Sequence, residues 1–463
     1  MTETLDRRTA LAALASTLIP LGGALGQALG AGAGERILHA APLAAKLFAD
    51  ASSEADLWAF DGRAAGPVLR IRHGDEFRIA LRNDTPKPLS LHWHGVRGPS
   101  ASDGVGGLSQ PPVPPGATAS YRFAPPDAGT FLIRPMVLGG GSGEPSGRGL
   151  AGLLIVEERE PPPVDADFAL LVRDWLLDAS GTLAPFGATG EAALAGRLGN
   201  RLAVEGADAP KRIELPPGSR LRLRIANGCN ARIMRIRFDG TRAFVGGVDG
   251  QPTDTFEPLH ASLPFAPGSR YDIFLDVPKE AGATSRITAL IGPGVPLVEV
   301  VAAKAEPVER PAVTALAPNR LLPPEIKLQN ALRKSVTLSG GASRGEGGAV
   351  MFTGDPKRIW TLNGASGATA SPPLFSARRG QPVVLAITNT TGFVQPMHLH
   401  GHVFRLLHAL DDGWEPYWLD TLQIAEGKTV QLSFLADNPG RWLLSSTVLE
   451  RLDTGLWTWF EVS

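Results

Sequence analysis

Five of the nine histidines of this chain lie in two short strings. The first is His92-Trp93-His94-Gly95, and the second is His398-Leu399-His400-Gly401-His402. On a β-strand, residues two apart point to the same side, so each string presents a pair of imidazoles on one face. Histidine is the commonest protein ligand for copper and zinc. Two such pairs from distant parts of the chain predict one shared metal site.

The other metal-binding residue types give weaker signals. The single cysteine, Cys229, excludes an intrachain disulfide, a cysteine-based zinc site and an iron–sulfur cluster. We expect it to be a buried, inert side chain. The four remaining histidines each stand alone, and we interpret them as ordinary imidazoles: His39, His73, His260 and His408.

The histidine strings are embedded in sequence that is typical of β-strands. Short apolar or alternating runs, such as residues 68–71, 76–81 and 89–94, recur with Gly, Pro and Asp between them. The 54 glycines and 40 prolines favour a turn-rich β protein. No stretch with helical periodicity dominates. The fold class is therefore predicted to be all-β, with strands arranged in sandwiches.

The strand pattern divides the chain into three modules. We predict a first domain over residues 34–160, a second over 161–305 and a third over 349–463. The proline-rich stretch that begins at Glu306 favours a linker, which we extend over residues 306–348. A His-X-His strand in both the first and the third module is consistent with repeated domains of one fold.

The N-terminus has the layout of an export signal. Arg7 and Arg8 precede an apolar stretch that Gly and Pro interrupt, and small residues follow up to Gly34. This layout is typical of a secretory signal, and the adjacent arginines resemble a twin-arginine (Tat) signal. We predict a signal over residues 1–33 and a periplasmic mature protein without a stable membrane span. An uncleaved anchor is the alternative, against which the Gly and Pro content argues.

The charge balance argues against a nucleic-acid partner. The chain has 45 Lys and Arg against 46 Asp and Glu, a net charge of −1. Removal of residues 1–33 takes away two bases and two acids, which leaves this balance unchanged. Without a basic excess to neutralise phosphates, we expect no nucleic-acid binding.

The motifs around the histidines resemble those of the multicopper oxidase superfamily, which includes laccases and bilirubin oxidases. Besides the two strings, the resemblance is carried by Gly66-Pro67-Val68-Leu69-Arg70, Asp103-Gly104-Val105, Gln110-Pro111-Pro112, Ala128-Gly129-Thr130, Arg148-Gly149-Leu150-Ala151-Gly152, Arg222-Leu223-Arg224-Ile225-Ala226-Asn227-Gly228 and Leu362-Asn363-Gly364. It implies three cupredoxin-like (Greek-key) β-sandwich domains. It also implies one blue (type 1) copper and a trinuclear cluster of type 2 and type 3 coppers.

Only part of the family's ligand pattern survives in this chain. The resemblance puts His92 and His398 at type 2 positions, and His94 and His400 at type 3 positions. The other ligand positions carry Arg134, Met136, Gln395, Ser445, Ser446, Thr447 and Arg451, with Leu456 at the axial position. These four histidines are therefore the candidate metal ligands.

The blue copper site is predicted to be absent. Such a site needs a thiolate and two imidazoles, whereas its positions hold Gln395, Ser446 and Arg451. A serine hydroxyl is protonated at neutral pH and does not replace a thiolate. Cys229 lies in the second module at a position that resembles a structural one. Without this site, electrons have no entry to a copper cluster.

Arg134 bears on whether the surviving histidines keep a metal. A guanidinium is always charged, so at a former ligand position it would repel a divalent ion. We hypothesise an ion pair of Arg134 with Asp103 or Glu450, two acids that resemble the family's acids beside the copper ligands. The competing hypothesis is a mononuclear copper site with Met136 nearby as a soft ligand.

Three functions follow from this pattern. The one that the sequence favours is a copper-depleted structural or interaction protein of the cell envelope, with an unidentified envelope protein as partner. The alternative is a copper-binding protein with one four-histidine site at the seam between domains one and three. The third is a laccase-like, copper-dependent oxidoreductase that acts with dioxygen. We expect no cofactor or one copper ion, not the four-copper set, and no catalytic residue.

Overall fold

The computed structural model describes residues 27–28, 35–344, 350–352, 354–407, 413 and 415–463. The predicted signal over residues 1–33 lies outside this range, apart from the two-residue strand Gln27–Ala28. His408 also lies outside it. Strands dominate the described chain, and the prediction of an all-β fold is confirmed. None of the described helices is long and apolar enough to cross a membrane.

The first domain is a two-sheet sandwich. Its strands are β1 (Gln27–Ala28), β2 (Arg36–Ala45), β3 (Ala55–Phe60), β4 (Val68–Arg72), β5 (Phe77–Asn83), β6 (Leu91–His94), β7 (Thr118–Phe123), β8 (Gly129–Pro135) and β9 (Gly152–Glu157). One sheet has the order β1-β4-β9-β8-β6 and the other β3-β2-β5-β7. Helix α1 (Gly143–Arg148) and a 3₁₀ turn (Ser100–Ser102) complete the domain.

Strand β6 turns its two histidines away from the core of the first domain. Trp93, between them, packs edge-to-face on Phe77 with ring centroids 4.9 Å apart. Because side chains alternate along a strand, His92 and His94 point to the opposite side. Strand β6 is the last strand of its sheet, and this side is covered by the third domain.

The second domain has the same two-layer form. Its strands are β10 (Ala166–Trp175), β11 (Arg201–Val204), β12 (Ala207–Asp208), β13 (Lys211–Leu215), β14 (Arg220–Asn227), β15 (Met234–Asp239), β16 (Ala243–Val248), β17 (Gln251–Phe256), β18 (Ser262–Phe265), β19 (Arg270–Asp276), β20 (Thr284–Ala289) and β21 (Val295–Ala302). The sheet orders are β12-β11-β10-β14-β19-β16-β17 and β13-β21-β20-β15-β18. Helix α2 (Thr189–Ala193) and a 3₁₀ turn (Leu259–Ala261) lie outside the sheets.

The third domain carries the second histidine string. Its strands are β22 (Leu332–Gly340), β23 (Ser343–Arg344), β24 (Val350–Met351), β25 (Trp360–Leu362), β26 (Ser376–Ala377), β27 (Gln381–Asn389), β28 (Gln395–Leu399), β29 (Phe404–Leu406), β30 (Thr421–Ile424), β31 (Thr429–Ala436), β32 (Gly440–Ser446) and β33 (Trp457–Val462), with helix α3 (Leu449–Asp453). The two main sheets are β25-β22-β27-β31-β29 and β26-β33-β32-β28-β30. Strand β28 is therefore held between β30 and β32.

The predicted linker over residues 306–348 is too long. Strand β22 falls within it and pairs in parallel with β27, so Leu332–Gly340 belongs to the third sandwich. Its alternation buries Val336 and Leu338, a period-2 pattern that the composition of the preceding proline-rich stretch obscured. The strand-free connection ends before Leu332.

A group of polar contacts joins the first and third domains at the seam between them. The Arg97 guanidinium donates to both oxygens of Asp127, at 2.7 and 2.9 Å, and to Asp437 of the third domain at 3.3 Å. The amide of Asn438 donates to the carbonyls of Gly98 (2.9 Å) and Gly401 (3.1 Å). These contacts flank the two histidine strings and hold them in register.

Candidate metal centre between the first and third domains

The structure brings the four predicted histidines together at this seam. His92 and His94 come from β6, and His398 and His400 from β28 and the turn that follows it. All four are at most 1% exposed. The rings of His94 and His398 stack with centroids 3.7 Å apart, and those of His92 and His400 with centroids 4.1 Å apart. The two pairs therefore form one compact, buried cluster.

Three of the imidazoles have one nitrogen held by an acceptor. His92 Nδ1 donates to the Asp103 carbonyl (2.8 Å), and His398 Nδ1 donates to the Asp420 carbonyl (2.9 Å). His400 Nδ1 donates to Asp103 Oδ2 at 3.0 Å. Because carbonyl and carboxylate oxygens only accept, each Nδ1 carries the proton and each Nε2 keeps its lone pair.

The freed nitrogens have the chemistry of metal ligands. His92 Nε2 and His398 Nε2 are buried without a hydrogen-bond partner in the described structure, and His400 Nε2 meets only Ser445 Oγ at 3.3 Å. One ring nitrogen from each of these three histidines lies within 4.8 Å of the others. Metal-bound histidines characteristically donate their second nitrogen to a carbonyl or carboxylate, as these do. The donor set fits one copper or zinc ion.

Burial also keeps these rings in the form that binds metal. Removal from water disfavours the imidazolium, which lowers the pKa of His398 below its usual range and that of His400 to about 3. Burial and the neighbouring His398 place the pKa of His94 well below its usual range. These rings are neutral at pH 7, so no proton has to leave before a metal binds.

Asp420 is a site residue that sequence reasoning missed. Its Oδ1 lies 3.3 Å from His398 Nδ1 and 3.7 Å from His94 Nε2. With these two histidines it forms a second group of ligand atoms within 4.8 Å of one another. Burial alone would raise its pKa, but Arg270 and His398 hold the pKa below the usual range. The available signal was an isolated acid in the otherwise uncharged segment 417–424.

Arg270 is the second residue that was missed. It starts β19 in the second domain and is fully buried. Its Nε donates to the Thr130 carbonyl of the first domain at 2.9 Å, and its Nη1 donates to Asp420 Oδ1 of the third at 3.2 Å. Its Nη2 donates to Asp420 Oδ2. One guanidinium thus joins all three domains beside the histidine cluster.

The predicted ion pair of Arg134 with Asp103 or Glu450 is wrong. Arg134 is buried, but its Nη2 donates to the Thr447 carbonyl at 3.2 Å, and no described ion pair joins it to either acid. Asp103 instead accepts hydrogen bonds from His92 and His400. Glu450 Oε1 accepts from the Asn230 amide at 2.8 Å. Burial lowers the pKa of Arg134 to about 10, partly offset by the charge of Glu450.

Met136 does not support the soft-ligand hypothesis. Its side chain packs in an apolar cluster with Leu443, Trp457 and Trp459. It is 2% exposed, and nothing in the described structure associates its sulfur with the histidines. The position two residues after Arg134 has therefore become part of an apolar core.

The side chains at the positions assigned to the blue copper site are hydrogen-bonded to other groups of the protein. Arg451 Nη1 donates to Gln395 Oε1 at 2.7 Å and to the Val394 carbonyl at 2.7 Å. Its Nη2 donates to the Leu194 carbonyl of the second domain at 3.1 Å. Ser446 Oγ accepts the Val448 amide proton at 3.1 Å.

The remaining sequence candidates have ordinary roles. Cys229 is buried with its sulfur 3.9 Å from the Val172 carbonyl, and burial raises the pKa of the thiol well above its usual range. His39 contacts Asp84 at 2.7 Å, and His73 contacts the Pro126 carbonyl at 2.8 Å. Thr447 supplies the carbonyl that Arg134 binds, and Leu456 is buried in the core.

Comparison with known proteins agrees with this architecture. Two family models described as multicopper oxidase match residues 44–161 and 348–463. The crystal structure of a multi-copper oxidase from Pseudomonas thermotolerans superimposes with a TM-score of 0.81 at 30% identity, over 94% of this chain and 100% of that one. The chain belongs to the multicopper oxidase family. The resemblance read from the motifs is thereby confirmed.

Other multicopper oxidases show the same relationship. A second Pseudomonas structure, the multi-copper oxidase of Pseudomonas parafulva, has a TM-score of 0.80 at 31% identity over 93% of this chain and 100% of that one. The multicopper oxidase MmcO of Mycobacterium tuberculosis is 27% identical over 82% of this chain and 78% of its own length. The similarity therefore spans all three domains of this family member.

Proposed function

We propose that this multicopper oxidase family member is an exported copper-binding protein without a blue copper site. It holds one copper ion at the domain seam through His92, His398 and His400. The observation that carries the proposal is the set of three Nδ1 atoms hydrogen-bonded to oxygen acceptors, which leaves the buried Nε2 atoms of His92 and His398 without a partner among the described residues and that of His400 with a 3.3 Å contact to Ser445 Oγ. A merely structural histidine cluster has no need to leave buried nitrogens without partners.

The loss of the blue copper site is supported by the residues at its positions. A trigonal copper–thiolate centre needs a thiolate and two imidazoles. Gln395 and Arg451 satisfy each other with a 2.7 Å hydrogen bond, and Ser446 is engaged with the backbone. The one cysteine of the chain is buried in the second domain. Without this centre, the electron entry that the family resemblance implies is lost.

The loss of most of the trinuclear cluster is supported by Arg134 and its neighbours. A buried guanidinium and a methionine within an apolar cluster stand where the family has one histidine pair. Ser445 and Thr447 stand where the final pair would be. A copper ion on the surviving histidines would supply a single redox-active Lewis-acid centre. The chain's own residues orient the imidazoles, keep them neutral and exclude water.

The role that follows is copper binding in the cell envelope, as the N-terminal pattern predicts export. A metal-free envelope scaffold is the competing function, and copper-dependent oxidation with dioxygen is the third. These three differ in the number of coppers that the mature chain takes up. Copper content per chain therefore separates them, and the copper affinity of matched histidine variants tests the proposed ligands.

The test uses the mature chain and copper(II) alone as the probe. We expect His92→Ala and His398→Ala each to weaken copper binding at least tenfold, since each removes one of three nitrogen ligands. His39→Ala is the matched control, because His39 lies at the surface beside Asp84. Titration calorimetry with a competing chelator measures the affinity. Absence of copper binding by the wild type would contradict the proposal and favour the scaffold.

A further inference from the structure

The cluster offers a metal two overlapping sets of ligands. One comprises His92, His398 and His400, and the other comprises His94, His398 and Asp420. His398 is common to both, and we assign its Nε2 to the first set and its Nδ1 to the second. Its Nδ1 lies 3.3 Å from Asp420 Oδ1, whereas its Nε2 is the unpartnered atom. A neutral imidazole has one lone-pair nitrogen, so the two sets exclude each other.

Asp420 determines which nitrogen of its two histidine neighbours carries the proton. Its carbonyl accepts from His398 Nδ1 at 2.9 Å, which leaves the lone pair on Nε2. Its Oδ1 accepts from Thr421 Oγ1 at 2.8 Å, so the threonine hydroxyl in turn accepts from His94 Nε2 at 3.1 Å. His94 is thereby left with its lone pair on Nδ1, away from Asp420. Neither histidine presents a lone pair to the carboxylate.

The guanidinium of Arg270 is hydrogen-bonded to the carboxylate of Asp420. Its two terminal nitrogens donate to the two oxygens of Asp420, and its Nε is anchored on the Thr130 carbonyl. Such a two-point, charge-assisted contact is strong in a dry site. A divalent ion on Asp420 would lie beside a fixed positive charge in a medium that screens it poorly. Asp249 holds the Asp420 and Thr421 backbone amides, at 3.3 and 3.2 Å, so the carboxylate has a fixed place.

We propose that Arg270 is the residue that selects the ligand set. By occupying Asp420, it keeps the metal on His92, His398 and His400 and prevents a two-histidine, one-carboxylate site. This inference rests on the proposed function. It assigns a specificity-determining role at the domain seam to a residue of the second domain. The predicted consequence is a change of donor atoms when the guanidinium is removed.

The test is electron paramagnetic resonance of the copper(II)-loaded mature chain, with pulsed methods that count bound imidazoles. We expect three imidazoles in the wild type. In Arg270→Gln, the freed carboxylate should recruit the metal, with two imidazoles and one carboxylate oxygen, as His94 and His398 each move their ring proton to the opposite nitrogen. The double variant Arg270→Gln with Asp420→Asn should return to three imidazoles, because no carboxylate remains. Arg270→Lys should retain three, since it keeps a cation beside Asp420.

Two further variants keep the proposal falsifiable if Arg270→Gln does not fold. Asp420→Asn alone should keep three imidazoles with less than a tenfold loss of copper affinity. Arg220→Gln is the matched control, because Arg220 is a buried arginine of the same domain that pairs with Asp276 and not with the seam. It should leave the spectrum unchanged.

The outcomes separate this inference from the proposed function. A wild type without bound copper overturns the proposed function and this inference with it. Three imidazoles in the wild type and an unchanged count in Arg270→Gln overturn the role of Arg270 alone. Loss of an oxygen ligand in Asp420→Asn would show that Asp420 already binds the metal, which also overturns it.

Discussion

At the scale of single residues, two buried arginines determine the electrostatics of the seam between the first and third domains. Arg270 is matched by carboxylates on both sides, Asp420 at hydrogen-bond distance and Asp249 at 3.9 Å. Arg134 has one hydrogen bond, to a carbonyl, and no described ion pair. A buried charge is stable only when it is paired or fully hydrogen-bonded. We therefore expect the charge of Arg134 to lower the stability of the fold and to weaken metal binding. Arg270, in contrast, selects which ligands bind the metal.

Replacement of Arg134 tests this difference. Arg134 pairs with His92 across the β6–β8 ladder, so its charge acts on the proposed ligands. We expect Arg134→Met to tighten copper(II) binding about tenfold and to stabilise the fold by about 1–3 kcal/mol, because a poorly paired buried charge is removed. Chelator competition and denaturant unfolding measure the two effects. Arg78→Met, at an exposed arginine, is the control. Weaker binding in Arg134→Met would refute the argument.

The blue copper position offers a gain-of-function prediction. Gln395 and Arg451 are in direct contact, and Ser446 lies on the strand next to β28. The triple variant Gln395→His, Ser446→Cys and Arg451→His restores two imidazoles and a thiolate at these positions. We expect an intense blue thiolate-to-copper absorption in the copper-loaded triple variant. Ser446→Cys alone is the control and should stay colourless, since it lacks both imidazoles. A colourless, folded triple variant would mean that these residues do not surround one point.

At the scale of elements, strand β6, strand β28 and the turn that follows β28 position the site. The two histidine strings were predictable, because residues two apart on a strand lie on one face, although His400 lies in the turn that follows β28. Strand β22 was missed because its alternation follows a proline-rich stretch. Asp420 and Arg270 were missed because pairing between domains has no local signature. An isolated acid in an otherwise uncharged segment was the hint for Asp420, whereas the strand that Arg270 starts carries two further charges.

Helix α3 carries a prediction about pH. Asp453 accepts the backbone amides of Ser142 (3.1 Å) and Gly143 (2.7 Å), and burial raises the pKa of its carboxyl from the ordinary 3.8 to about 7. Between these values the folded chain holds a proton that the unfolded chain has lost. The contribution of Asp453 to the free energy of unfolding therefore falls as pH rises from about 4 to 7, and is constant above.

Asp453→Asn removes this contribution. Relative to the wild type, we expect the variant to gain on the order of 3 kcal/mol as pH rises from 4 to 7. Urea unfolding at several pH values measures the difference between the two proteins, in which the histidine contributions cancel. Gln329→Ala, at an exposed amide that does not titrate, should show no such trend. A pH-independent difference for Asp453→Asn would contradict the assignment of its proton.

At the scale of the whole molecule, the family architecture positions the proposed copper site. The three sandwiches and the seam were predictable from motifs distributed along the chain. The proton positions on the histidines and the reach of Arg270 from the second domain were not, because they depend on how the domains meet. Asp103 and Asp420 hold three Nδ1 atoms with groups from both sides of the seam. The proposed site therefore exists only in the assembled protein.

The most direct test of this account is the copper content of the mature chain together with its visible spectrum. The purified protein is loaded with copper(II), freed of excess metal and analysed by mass spectrometry for copper per chain. We expect one copper ion per chain and no blue absorption. Four coppers with a blue band would contradict the account and restore the oxidase interpretation, and a chain without copper would contradict it in favour of a metal-free scaffold.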